Sequence, residues 1–127
     1  MIDKVMMSMD NLPLDFKKQL FRIYSDTSKA IYGFGVIELK INFIDDMIIF
    51  RTRDNRVPIL KVLEEKHYEL KKWVDIALFN EFKLKLKNSI TEKFGLEPIA
   101  MLRDYDTTYQ IAVTIVVLAE GTLKNRV

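Results

Sequence analysis

The sequence contains no cysteine and a single histidine, His67. Without cysteine the chain has no disulfide, no thiolate nucleophile and no cysteine-ligated zinc or iron–sulfur centre. One histidine excludes any site that needs two imidazoles from the same chain. Glycine is also scarce: no GxxxxGK[ST] loop occurs, and Gly33-Phe34-Gly35 lacks the third glycine of a dinucleotide fingerprint. These absences remove most nucleotide-binding and cysteine-dependent chemistry.

Neither an excess of one charge nor a long hydrophobic run is present. Twenty Lys+Arg against 18 Asp+Glu give a net charge of +2, so the general basic attraction of many nucleic-acid binders is missing. The most apolar stretch, residues 111–119, is far shorter than the roughly 20 helical residues that a membrane span requires. Residues 1–10 carry Asp3 and Asp10 and do not resemble a signal peptide. We expect a cytoplasmic protein without a transmembrane segment.

What is present is the composition of a globular protein, with 49% hydrophobic and 30% charged residues. A chain of 127 residues suits one domain, which buries roughly two-thirds of its unfolded surface. We therefore expect a single domain over residues 1–127, with an ordered core at about residues 12–120 and flexible ends.

Alternation of apolar and polar residues predicts a strand over residues 37–43, a turn at Asp45-Asp46 and a returning strand over residues 47–53. This turn places three pairs on an apolar face: Phe43 with Ile48, Ile41 with Phe50, and Leu39 with Thr52. The opposite face holds Ile44 with Met47, Asn42 with Ile49, Lys40 with Arg51, and Glu38 with Arg53. A shift of one residue would expose the whole apolar set, so the register is well specified.

Helical spacing of apolar residues predicts helices over residues 14–31, about 58–65 and about 69–93, the last ended by Gly95. A second hairpin is predicted from strands at about residues 98–104 and 109–119. The resulting αββαββ order predicts an α+β two-layer sandwich, with helices on one face of an antiparallel four-stranded sheet.

The second hairpin has two faces that are both unusually apolar. We assign the first to the core; its residues are Ala100, Leu102, Tyr109, Ile111, Val113, Ile115 and Val117. The second then lies outside with the exposed face of the first hairpin. A solvent-facing sheet surface is normally more polar, so we expect a second copy of the chain to cover it. The predicted dimer interface is Ile44, Met47, Ile49, Ile99, Met101, Ala112, Val116 and Leu118.

Candidate catalytic and metal-binding residues are few. His67 follows Glu64 at the helical spacing that diiron carboxylate proteins use, but those proteins need two such motifs. Asp45-Asp46 and Asp104-Tyr105-Asp106 lie at predicted hairpin turns, where acidic residues are common, and no calcium-loop pattern surrounds them. Tyr68 and Trp73, close to His67, are expected to be packing residues. We expect no enzymatic activity, no metal and no cofactor.

Basic residues collect at the open end of the first hairpin, where Lys40, Arg51, Arg53 and Arg56 form a predicted basic patch. Lys40 opposite Arg51 is an unfavourable like-charge pair that an anionic partner would offset. The alternative is a solvated face in which Glu38 pairs with Arg53. As a functional surface, the patch suits a protein partner, acidic lipid head groups or nucleic acid.

Several segments together resemble a known family. They are Ile44-Asp45-Asp46-Met47-Ile48-Ile49-Phe50-Arg51, a proline-started helix with Leu60 and Glu64, a long charged helix closing at Gly95, and Asp104 followed by a strand ending Val116-Val117-Leu118. Over about residues 20–120 the chain resembles the MpsC (YbcI-like) family, small bacterial proteins of the Na+-translocating membrane-potential-generating system. Arg56-Val57-Pro58-Ile59-Leu60 departs from the family's Leu-Thr-Pro-x-Glu segment.

The resemblance implies a soluble accessory component that acts beside membrane proteins of a cation- or bicarbonate-linked transport system, with no catalytic residues to carry over. Our first hypothesis is therefore a non-catalytic cytosolic adaptor that acts as a homodimer, with transporter subunits as partners, cytoplasmic or peripheral at the membrane. The alternative, disfavoured by the charge balance, is a nucleic-acid-binding module that uses the basic hairpin end.

Overall fold

The computed structural model describes residues 14–53, 58–106 and 108–123. In chain order the elements are α1 (Leu14–Tyr32), β1 (Glu38–Ile44), β2 (Met47–Arg53), α2 (Pro58–Lys66), α3 (Tyr68–Phe94), β3 (Pro98–Asp106) and β4 (Ile111–Leu118). The first and last residues of each helix and strand lie within two residues of their predicted positions. Of the predicted flexible ends, residues before 14 and after 123 lie outside the described residues. Leu123, expected in the flexible tail, is fully buried.

The helix boundaries follow from local backbone chemistry. α1 carries Asp15 in its first turn and Lys29 in its last, both favourable to the helix dipole. It ends at Gly33, whose φ of +87° suits glycine and whose N–H donates to the Lys29 carbonyl over 3.0 Å. His67, with φ −140° and ψ 61°, breaks the helical backbone between α2 and α3. α3 ends at Gly95 in the left-handed conformation, as predicted.

The sheet has the order β1-β2-β4-β3, and every neighbouring pair is antiparallel. All pairs predicted for the first hairpin are confirmed, from Glu38 opposite Arg53 to Ile44 opposite Met47. In the second hairpin Asp106 pairs with Ile111, and a bulge falls between Pro98 and Ala100. The second strands of the two hairpins, β2 and β4, form the centre of the sheet. The two hairpins are thus related by an approximate two-fold axis normal to the sheet.

α1 and α3 pack on one face of this sheet, which confirms the predicted α+β two-layer architecture. Aromatic contacts join the layers. The ring of Phe16 stacks on that of Phe43 at 5.7 Å between centroids, and the ring of Tyr24 stacks on that of Phe50 at 4.6 Å. The buried residues of α3, Phe82, Leu86, Ile90 and Phe94, all lie in its second half, and the partly buried Phe79 packs against the core just before them.

The assignment of the second hairpin's faces was wrong. Its residues divide into the two predicted sets, but the set placed outside faces the helices. Met101, Ala112, Val116 and Leu118 are all buried. The cause is the pairing of β2 with β4, which sets Ile48 beside Val116 and so fixes the direction of every residue in the hairpin.

Two polar residues on the face against the helices, Thr114 and Arg103, contact aromatic side chains from the helices. The Thr114 and Tyr24 hydroxyls lie 2.9 Å apart in a buried hydrogen bond. The Arg103 guanidinium lies over the Tyr32 ring at 5.2 Å and over the Phe82 ring at 5.6 Å. These partners allow a face containing threonine and arginine to pack against the helices, while the more uniformly apolar face of β4 points away from them.

Candidate interaction surfaces

The side of the sheet opposite the helices presents four rows of side chains, which we call the outer face. Each row runs across β1, β2, β4 and β3 in the observed registers. In order, the rows are Ile44, Met47, Val117 and Ala100; Asn42, Ile49, Ile115 and Leu102; Lys40, Arg51, Val113 and Asp104; and Glu38, Arg53, Ile111 and Asp106.

The first two rows are apolar apart from Asn42. Leu102 is 60% exposed, and the residues of the central strands are covered only in part. Antiparallel sheets with one solvated face normally carry polar residues there, and contiguous exposed apolar patches mark interaction sites. These two rows therefore form a candidate interaction surface.

Apart from Glu38, the other two rows separate charges of opposite sign. Lys40, Arg51 and Arg53 lie at the β1–β2 edge, which we call the basic corner. Asp104 and Asp106 lie at the β3 edge, which we call the acidic corner. Ile111 and Val113 of β4 separate the two corners. The face thus has one apolar half and one half with a charge gradient across the strands.

Local contacts define what each charged group does within the fold. Lys40 Nζ lies 3.9 Å from Glu38 Oε1, which offsets part of its repulsion from Arg51. Asp106 Oδ1 accepts hydrogen bonds from the N–H groups of Thr108 and Tyr109 at 2.8 and 3.1 Å, so this carboxylate shapes the β3–β4 turn. Asp104 Oδ1 accepts one bond, from the N–H of Tyr105 at 2.8 Å.

The structure brings together part of each predicted surface. Lys40, Arg51 and Arg53 share the outer face as predicted, and Arg56 lies outside the described residues. Ile44, Met47 and Ile49 lie on that face, and Ile99 is 62% exposed beside the bulge. The other predicted interface residues, Met101, Ala112, Val116 and Leu118, belong to the core.

Sequence reasoning missed the outward-facing residues Ala100, Leu102, Ile111, Val113, Ile115 and Val117 by assigning them to the core. Their uninterrupted apolar character argued for burial. The acidic corner was also missed as a surface feature, because Asp104 and Asp106 were interpreted only as turn residues. The signal that identifies both is the register of β4 against β2, which joins segments far apart in the sequence.

A second exposed apolar surface lies on the helices. α3 has 27 residues and is therefore about 40 Å long, whereas an eight-residue strand spans about 27 Å. Residues 68–81, all of them described, include no fully buried side chain. We call α2 with this part of α3 the helical arm. Its exposed apolar residues are Val62, Tyr68, Leu70, Trp73 and Ile76.

Tyr68 and Trp73, on the helical arm, were expected to pack, and that expectation was wrong. Trp73 is 67% exposed and Tyr68 is 58% exposed. Lys72 Nζ lies 5.5 Å from the centre of the Tyr68 ring, a cation–π contact at the surface. A large indole left in water adds nothing to the core and is available to a partner.

The residues considered for metal or catalytic chemistry lie apart. His67 is exposed at the α2–α3 break, and its side chain makes no capping hydrogen bond. The Asp46 carboxylate accepts hydrogen bonds from the N–H groups of Gly121 and Leu123, which ties the last described turn to the first hairpin. Within residues 14–53, 58–106 and 108–123, no three His, Cys, Asp or Glu side chains are grouped to hold a metal ion.

A groove of about 550 Å³ lies between α1 and the edge strand β1. Its lining combines apolar and oppositely charged side chains: Lys17, Lys18, Phe21, Arg22, Ser25, Asp26, Leu39 and Ile41. The groove is wide open, and this mixed lining presents no convergent set of groups for one ligand chemistry.

Among the described helices, none combines the length and apolar character needed to cross a bilayer. Comparison with curated proteins and with solved structures gives no match. Comparison with family models gives one, described as "Na+-translocating membrane potential-generating system (MpsC)", over residues 15–120. Because this match covers most of the chain, and all of the described helices and strands apart from the first residue of α1, the protein belongs to the MpsC family.

Proposed function

We propose that this protein is a non-catalytic accessory component of a Na+-translocating membrane-potential-generating system. It acts as a homodimer that binds membrane-embedded subunits of that system. The observation that carries the proposal is the pair of exposed apolar surfaces, the outer face and the helical arm, on a fold whose core already draws on both hairpins, α1 and α3. Family membership supplies the physiological setting.

We assign the outer face to a second copy of the chain. Its apolar rows lie on a four-stranded sheet, and such faces pack on one another about 10 Å apart in β-sandwiches. In a symmetric dimer both copies contribute the same surface patch, so the apolar rows of the outer face form both sides of the contact.

We assign the helical arm to the membrane-embedded subunits. Tryptophan and tyrosine are enriched among the residues that dominate protein–protein binding energy, and Trp73 and Tyr68 are both exposed here. Charge favours a protein partner over an anionic lipid surface, because basic residues do not outnumber acidic residues on the arm. The basic residues are Lys61, Lys66, Lys71 and Lys72, and the acidic residues are Glu64, Glu65, Glu69, Asp75 and Glu81.

Co-sedimentation with membranes tests this proposal. Membranes that contain the system's integral subunits should retain the wild-type chain, and membranes that lack them should not. Trp73→Ala should lower retention at least tenfold, because truncation of a central aromatic anchor commonly costs more than 2 kcal/mol. The matched control is Leu84→Ala, an exposed residue of the same helix outside the arm, which should leave retention unchanged.

The same assay separates the arm from the basic patch as the recruiting surface. If Arg51→Glu with Arg53→Glu abolishes retention while Trp73→Ala does not, the outer-face patch is the contact and our assignment of the arm is wrong. If wild-type protein is retained equally by both kinds of membrane, the accessory role itself is contradicted. The nucleic-acid alternative gains no support, because Asp104 and Asp106 share the face with the basic residues and would repel phosphates.

A further inference from the structure

We infer that two copies pair through their outer faces about a two-fold axis parallel to the strands, between β2 and β4, so that the basic corner of each copy meets the acidic corner of the other. The inference rests on the proposed homodimer and specifies its geometry. It follows from the arrangement of charge on the outer face, which was not used to propose that a dimer exists.

A two-fold axis parallel to the strands exchanges β1 with β3 and β2 with β4, and leaves each row opposite the same row of the partner. The two apolar rows then cover the partner's apolar rows. Ile49 lies opposite the partner's Ile115, and Met47 lies opposite the partner's Val117. Sheets packed in this aligned way cross at about 30°, an angle that side chains of this size accommodate.

In the charged rows the same operation brings opposite charges together. Lys40 lies opposite the partner's Asp104, and Arg51 lies opposite the partner's Val113, one strand away from that carboxylate. Arg53 likewise lies one strand from the partner's Asp106. Glu38 faces that same aspartate, but it is already close to Lys40 within its own copy. The contact occurs twice in the dimer, once on each side of the axis.

An axis across the strands gives the opposite result. It would place the first row of one copy over the fourth row of the other, so that Arg53 would meet Met47 or Val117. Charged groups would then be removed from water without partners, which is strongly unfavourable. The charge pattern therefore selects the strand-parallel axis.

A charge-exchange experiment tests this geometry with two variants of the full chain. Lys40→Glu places a carboxylate directly opposite the partner's Asp104, and it also removes the like-charge pair with Arg51. Asp104→Arg places a guanidinium directly opposite the partner's Lys40. Asp106 is left unchanged because it shapes the β3–β4 turn. Dissociation constants are measured by sedimentation equilibrium at low and at physiological salt.

Each variant alone should dimerise at least tenfold more weakly than wild type, with the larger loss at low salt, because like charges then meet twice. An equal mixture of the two should recover an affinity within about threefold of wild type, because both contacts of the mixed dimer again join opposite charges. Differently tagged copies identify the mixed dimer directly. Matched charge reversals on the exposed helix surface, Lys85→Glu and Glu92→Arg, should change neither value.

The outcomes separate this inference from the proposed function. A monomeric wild-type protein overturns the homodimer and the geometry together. A wild-type dimer that the two variants do not weaken, or that their mixture does not restore, overturns the geometry and leaves the homodimer standing. If Lys40→Glu fails to fold, Arg51→Glu replaces it in the comparison of single variants, since Arg51 is exposed and lies one strand away from the partner's Asp104 in the inferred dimer.

Discussion

The two faces of the sheet show that polarity alone does not determine which of its residues are buried. The face against the helices is buried although it includes Thr52, Thr114 and Arg103. The outer face is exposed although its first two rows hold one polar residue, Asn42. Hydrophobic content alone therefore does not decide which face of a strand is buried. A buried threonine or a half-buried arginine is tolerated where a partner lies within reach. An exposed apolar row points to a partner outside the chain.

The faces also differ in shape. The buried face carries large aromatic residues, among them Phe43 and Phe50, which contact aromatic rings of α1. The apolar rows of the outer face hold Ile, Val, Leu, Met and Ala and no aromatic ring. Large interlocking rings suit the irregular surface of a helix layer, whereas smaller aliphatic side chains suit another sheet. We use this contrast to order the expected effects of substitution.

The largest effect is expected in the core. Phe50 is fully buried and its ring stacks on Tyr24, so Phe50→Ala should lower the free energy of unfolding by about 3–5 kcal/mol. Phe21→Ala, at a position 45% exposed on α1, should cost less than about 1 kcal/mol. Guanidinium titration at low protein concentration measures both. Equal losses for the two variants would contradict the core described above.

Much of this fold could be predicted because residues close together in the sequence determine it. In the first hairpin, the Asp45-Asp46 turn and the alternation of apolar and polar residues fix the strand register. Gly95 ends α3 because glycine readily adopts the left-handed backbone conformation found there. The two faces of the second hairpin also separate correctly, since alternation requires only that the segment be a strand. Which of these faces is buried depends on β2 pairing with β4, and no pattern within either hairpin encodes that contact.

The candidate surfaces likewise include residues that local sequence predicts and residues that depend on long-range packing. Lys40, Arg51 and Arg53 could be placed together because one hairpin carries them all. The exposure of Trp73 could not be predicted, since helical periodicity does not show that α3 extends beyond the sheet on which it packs. The dimer residues contributed by β4 were missed because they are apolar enough to belong to a core, which is also the property that makes them suitable for an interface.

The second largest effect is expected on the outer face, and two adjacent residues test it. Ile115 points outward and Val116 points into the core. Ile115→Lys should raise the dissociation constant of the proposed homodimer at least 100-fold, because two lysines enter the apolar rows, while unfolding of the monomer changes by less than about 1 kcal/mol.

The matched substitution Val116→Lys buries an unpaired charge and should prevent stable folding at any protein concentration. Sedimentation separates association from unfolding monitored by circular dichroism. If Ile115→Lys unfolds the monomer as well, or if it leaves the wild-type dimer intact, then the difference in role between these neighbouring positions is contradicted.

The smallest effect concerns the polar pair on the buried face, and it tests whether partners explain the burial of polar residues there. Tyr24→Phe or Thr114→Val alone leaves one buried hydroxyl without the hydrogen bond observed at 2.9 Å, at an expected cost of about 1–2 kcal/mol. Replacing both residues removes the unsatisfied group, so the double variant should be less destabilised than the sum of the two single variants. Tyr109→Phe, at an exposed tyrosine, is the control and should change stability little. Additive losses would mean that each hydroxyl acts independently of the other, and that mutual satisfaction is not what allows Thr114 to face the helices.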